Sequence, residues 1–133
     1  MLARRLQNIE ESGIRKIFSR IQSVKDPIDL SIGQPHFDVP PEVKQAAIAA
    51  IEGGANRYTP TSGLPELRRR ISAELLRKHG VRTDSVLVTS GAAGGLTLAV
   101  LALLNEGDGA LIPDPYFIVY KNVVSAVGGV PQF

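Results

Sequence analysis

A chain of 133 residues that is 44% hydrophobic is long enough to bury one core and too apolar for a disordered segment, so one domain or pieces of two is the expectation. Fifteen Lys and Arg against thirteen Asp and Glu leave a net charge of +2, which argues against a nucleic-acid surface. The absence of Cys excludes disulfides, thiolate nucleophiles and Cys-built metal sites, and makes the cytoplasm the expected compartment.

The opening "MLARRLQNIEES" has no apolar core of the length a signal peptide needs. In "SGIRKIFSRIQ" the residues Ile14, Ile17, Phe18 and Ile21 recur at helical spacing behind Ser12, an N-cap candidate, which predicts a short amphipathic helix. An alternating segment over 28–32 then runs into a loop punctuated by Gly33, Pro35, Pro40 and Pro41. "PPEVKQAAIAAIEGG" predicts a helix with Pro41 in its first turn and Gly53 as its stop, and "LPELRRRISAELLRKHG" repeats that pattern between Pro65 and Gly80. The run Arg68, Arg69, Arg70 is interleaved with Glu66 and Glu74 and reads as a solvated helix face. His36 and His79 stand apart with no carboxylate at ligand spacing, so no metal site is expected.

Beyond Gly80 strands and helices alternate. "SVLVTS", "GALIPD" and "GVPQF" read as strands, and "GGLTLAVLALL" and "FIVYKNVVSAVG" as helices. That order predicts an α/β architecture with a parallel sheet covered on both faces, which binds ligands beyond the carboxyl ends of its strands. The apolar run 92–104 is too short to span a bilayer. With its last predicted strand just begun at Phe133, the sequence is expected to be the front of something longer.

Between the first of these strands and its helix lies "TSGAAGG". Small residues there let the amides at a helix start face an anion, with the helix dipole adding its positive end. Ser90, Gly91, Ala92 and Ala93 suit a phosphate cup, and equally suit close packing of a helix on a sheet. The bend is neither a P-loop nor a G-x-G-x-x-G turn. In "IPDPYFIVY" the rings Tyr116, Phe117 and Tyr120 gather at the same sheet edge; such rings can stack on a flat heteroaromatic group or fill a core.

With "SGIRKIF", "DLSIGQPHFDVPPEV", "RYTPTSGLPELRRRIS", "VLVTSGAAGGLTLAVLALLNEGD", "IPDPYFIVYKN" and "VGGVP" in this order, the chain resembles the pyridoxal-phosphate-dependent aminotransferases of the aspartate aminotransferase superfamily. The resemblance covers essentially the whole chain and about the first third of such an enzyme. It implies fold type I of the pyridoxal-phosphate transferases, here its N-terminal segment with the first strands and helices of the large domain's sheet. Residues 1–40 would form the N-terminal arm and the start of the small domain, and 41–133 the first, incomplete part of the large cofactor-binding domain.

The resemblance also implies roles. Gly91, Ala92 and Ala93 would hold the phosphate of pyridoxal 5′-phosphate, with the amides of Ala92 and Ala93 as donors, and Phe117 would stack on the cofactor ring. Gly33 would offer its amide to the substrate α-carboxylate. Tyr58 would reach across a homodimer interface to the partner subunit's cofactor. Substrates would be an amino acid and a 2-oxo acid, with neither nucleic acid nor membrane as partner. The family's covalent cofactor-binding Lys, and the Asp, Asn, Tyr and Arg that serve cofactor and substrate, are expected beyond residue 133. No residue of this chain is therefore expected to be catalytic, and the chain alone is expected to be inactive. The alternative is a non-catalytic binding or assembly module that kept the front of the fold.

Overall fold

The structure is a computed structural model that describes residues 3–28, 30 and 33–133. In chain order it contains a 3-10 turn (Arg4–Asn8), helices α1 (Gly13–Ile21), α2 (Pro41–Glu52), α3 (Pro65–His79) and α4 (Gly91–Leu103), strand β1 (Gly109–Leu111), helix α5 (Val119–Ala126) and strand β2 (Val130–Gln132). These group into two compact units, 25–87 and the pair of segments 1–24 and 88–133. The alternating segment expected over 28–32 lies largely outside the described residues.

In the unit 25–87 the helix ends follow from local chemistry. Pro opens both α2 and α3, where a missing N–H costs no hydrogen bond. Gly53 and Gly80 close them, and Gly80 takes a left-handed φ of 67° with its amide donating to the carbonyls of Leu75 and Leu76. Charged residues at helical spacing lace the exposed surface of α3: Glu66 pairs with Arg69 and Arg70, and Glu74 with Arg77 and Lys78. Arg70 and then Arg69 hold the Glu66 carboxyl below its usual range. Arg77 and then Lys78 do the same for Glu74, which in turn raises Arg77.

Arg68 departs from the solvated face that its neighbours form. Its Nε donates to the Val86 carbonyl at 2.6 Å and one terminal nitrogen to Ser62 Oγ at 3.1 Å, so a half-buried guanidinium ties α3 to the chain on either side of it. The hydroxyls of Ser72 and Thr83 meet at 2.8 Å beside it. Three successive residues on a helix point about 100° apart, so the three arginines spread over about 200° of α3 and meet different neighbours.

The other unit is built on a β-α-β element. β1 and β2 pair in parallel, Gly109 opposite Val130 and Leu111 opposite Gln132, with α5 as the crossover that parallel strands require. The ladder is extended at both ends by bonds from Val130 N to Asp108 O and from Ile112 N to Gln132 O, each 2.8 Å. α5 packs against α4, β2 and the 3-10 turn. Gly129 lets the crossover close tightly, since a Cβ there would stand 3.0 Å from Val124 Cγ1. The expected strand at "SVLVTS" does not form: residues 85–89 are irregular and have no ladder partner among the described residues. An apolar, β-branched run becomes a strand only where a neighbouring strand takes up its backbone groups.

Among the described residues only Ile112 and Val124 are buried. No residue of α2, α3 or α4 is, although α4 is apolar on nearly every side and leaves Leu98, Leu101 and Leu103 at least half exposed. Surface of this kind favours association, and a two-stranded sheet leaves both edges open to further strands. The 133-residue polypeptide by itself is therefore expected to bind hydrophobic dye, to sediment as more than a monomer and to melt without a sharp transition. A cooperative melt in a strict monomer would contradict this.

Candidate functional site

The bend between residue 88 and α4 is held by short-range bonds. Gly91 takes φ +70°, a conformation that L side chains rarely adopt, and its amide donates back to the Thr89 carbonyl at 2.8 Å. The Thr89 hydroxyl donates to the Gly91 carbonyl at 3.0 Å and locks the other side of the turn. Thr89 carries no part in the expectations from sequence; a Thr two residues before a turn Gly is the signal that would have marked it.

The first turn of α4 is consequently open to an acceptor. Helix geometry gives the amides of Ala92 and Ala93 no partner within the helix, and among the described residues no backbone or side-chain oxygen accepts from them. Ser90 occupies the N-cap position without capping, and no acidic residue lies in the first turn. Two free amides at the positive end of a thirteen-residue helix suit an anionic oxygen. Thr97 Oγ1 donates to the Ala93 carbonyl at 2.8 Å one turn on.

Behind the bend the fit is close. A Cβ on Gly94 would stand 3.3 Å from Ser90 Cβ, and one on Gly95 would stand 3.1 Å from Thr89 Oγ1. An open hollow of about 490 Å³ runs along this side, lined by Val88, Thr89, Ser90, Gly94, Thr97 and Leu98. Its walls are hydroxyls and small apolar groups with no charge. Gly94 and Gly95 thus serve close packing at the bend while the amides of Ala92 and Ala93 stay free.

Phe117 lies in the same unit, two residues before α5. Its ring is half exposed and meets Tyr120 edge-on, with centroids 6.2 Å apart and planes at 89°, so the faces of the Phe117 ring are not stacked on Tyr120. Tyr116 is engaged differently, stacking on Phe133 at 4.8 Å. Of the three rings gathered by "PYFIVY", Tyr116 is the one committed to stacking within the chain.

Gly33 and Tyr58 belong to the unit 25–87. Gly33 has φ +71° and open space where a side chain would begin. Tyr58 is fully exposed in the turn between α2 and α3, following Asn56, whose side chain donates to the Ile51 carbonyl at 3.1 Å. Upstream of α2, Asp38 accepts from the Val39 amide at 2.7 Å and pairs with Lys44, and Lys44 first, then Val39, hold its carboxyl below the usual range.

Comparison with known proteins adds an independent finding. The sequence model of one family, described as aminotransferase class I and II, matches residues 25–133. An aspartate aminotransferase of Pyrococcus horikoshii is 40% identical over 121 residues, covering 90% of this chain and 31% of that protein. A probable aspartate aminotransferase of Methanocaldococcus jannaschii is 39% identical, covering 97% of this chain and 34% of that protein. Among solved structures, an aspartate aminotransferase of Rhizobium meliloti superposes with a TM-score of 0.89 at 37% identity, over 99% of this chain and 34% of the other. The chain spans about a third of the length of the relatives it matches.

Proposed function

The chain belongs to the class I and II aminotransferases, and from that premise we propose that its protein moves an amino group between an amino acid and a 2-oxo acid with pyridoxal 5′-phosphate. The observation that carries this reading is the pair of free amides at Ala92 and Ala93, behind a Gly91 turn with no acidic group in the first helical turn. A phosphate dianion accepts hydrogen bonds from such amides and gains from the helix dipole. When bound, the cofactor supplies the electron sink that the protein lacks.

On this reading Gly91, Ala92 and Ala93 hold the phosphate, and Phe117 lays its exposed ring on the cofactor. Gly33 donates its amide to the substrate α-carboxylate. Tyr58, fully exposed within its own chain, reaches the partner subunit's cofactor phosphate in a homodimer. Residues 1–40 serve as arm and start of the small domain, and 41–133 as the first part of the large one. The enzyme works in the cytoplasm on small-molecule substrates. Among the described residues no helix is long and apolar enough to cross a membrane.

The test is amino transfer by the product of the complete reading frame, purified and loaded with pyridoxal phosphate. Aspartate heads the panel of donors, because the matched relatives are named for it. We expect an absorbance band from bound cofactor and transfer to a 2-oxo acid. A protein that binds the cofactor and transfers nothing across the panel would favour the non-catalytic module, and one that does neither would overturn the reading altogether.

A further inference from the structure

Asn122, in the second turn of α5, grips the main chain of the N-terminal arm. Its Oδ1 accepts from the Glu10 amide at 3.1 Å, and its Nδ2 donates to the Glu10 carbonyl at 2.8 Å. A side-chain amide matched in this way to both polar groups of one residue imitates a strand neighbour. The adjacent Lys121 adds an ion pair to the Glu10 carboxylate, with only 22% of the Lys121 side chain exposed, and Glu10 raises the Lys121 pKa. The contact joins residues 112 apart in sequence.

α5 has eight residues, a length at which a helix is marginal without outside support. The Asn122 amide donates to the Ile118 carbonyl at 3.1 Å, and the Tyr120 amide to the Phe117 carbonyl at 3.0 Å. Asn122 is therefore one turn from Ile118, and Phe117 is bonded into that same turn. Tyr120, whose ring meets Phe117 edge-on, belongs to it too.

We propose that Asn122 is a positioning residue: by clamping the Glu10 backbone it docks the N-terminal arm on α5 and so fixes the first turn of α5, which aims Phe117 at the cofactor. This rests on the functional reading above, in which Phe117 stacks on pyridoxal phosphate. The clamp recognises backbone, so the identity of residue 10 matters less than its N–H and C=O. Loss of the clamp loosens the arm and the ring together.

The experiment uses the full-length protein with pyridoxal phosphate and reads three things: amide hydrogen exchange over residues 6–12, the cofactor dissociation constant, and visible circular dichroism of the bound cofactor. Asn122→Ala is expected to speed exchange in the arm about tenfold, to weaken cofactor binding about three- to tenfold and to reduce the dichroism, two net hydrogen bonds being lost. Glu10→Pro removes the clamped N–H from the arm side, leaves α5 intact, and should give the same three changes should Asn122→Ala fold poorly. Glu10→Ala keeps the backbone and should leave cofactor affinity within about twofold.

A wild type that binds no pyridoxal phosphate would overturn the functional reading, and the aiming of Phe117 with it. A wild type that binds the cofactor, with an arm released by Asn122→Ala or Glu10→Pro but cofactor affinity and dichroism unchanged, would overturn the positioning role alone. Unchanged arm exchange in both variants would overturn the clamp itself.

Discussion

Given pyridoxal phosphate, an amino acid and a 2-oxo acid, the 133-residue chain by itself is expected to show no amino transfer above that of the free cofactor. Covalent attachment of the cofactor needs a Lys amine held neutral, by desolvation or by a neighbouring cation. The lysines of this chain have the opposite surroundings. Lys16 lies 3.0 Å from the Glu11 carboxylate and Lys78 2.9 Å from that of Glu74, while Lys44 pairs with Asp38 and Lys121 with Glu10. For Lys121 the Glu10 carboxylate raises the pKa, which favours the ammonium form. The remaining one, Lys25, stands exposed in a loop. The measurement is a coupled assay on purified chain. Turnover that survives purification and disappears on changing one of these five lysines would refute the expectation, and would put the chemistry inside this segment.

In the full-length protein loaded with pyridoxal phosphate the largest effect of a single change is expected at the bend. Ala92→Pro deletes one of the two free amides and places a ring beside Gly91 at the helix start. A hydrogen bond to a charged group is worth about 1.5 to 3 kcal/mol, so cofactor affinity should fall roughly ten- to a hundredfold. Phe117→Ala should also weaken binding and alter the cofactor's absorbance band, whereas Phe117→Tyr keeps the ring and should be tolerated. Equilibrium titration of the full-length protein with pyridoxal phosphate checks each. Unchanged affinity in both Ala92→Pro and Phe117→Ala would mean that the bend serves packing alone.

What could be read from the sequence was whatever local chemistry decides. α2 and α3 begin at Pro41 and Pro65 and stop before Gly53 and Gly80 because a ring without an N–H and a residue without a Cβ act on their own neighbours. The bend before α4 was legible for the same reason, as Gly91 must supply a positive φ. Pairing between distant segments was legible only in part. β1 and β2 pair in parallel as their alternation with helices implied, whereas residues 85–89 carry the apolar, β-branched run of a strand and have no ladder among the described residues. Arg68 reads like Arg69 and Arg70 until the carbonyl of Val86 is brought beside it. Asn122 gave no signal at all, since a lone polar residue on a helix says nothing about an arm 112 residues away.

The close fit behind the bend bears on how this site can change over generations. Neither Gly94 nor Gly95 is one of the two residues with free amides, yet an added methyl at Gly95 would press on the very hydroxyl that locks the Gly91 carbonyl, and one at Gly94 would press on Ser90. A side chain at either glycine therefore requires Thr89 or Ser90 to give way by a few tenths of an ångström. Inheritance at this bend should run in pairs, a change at Gly94 or Gly95 going with one at Ser90 or Thr89.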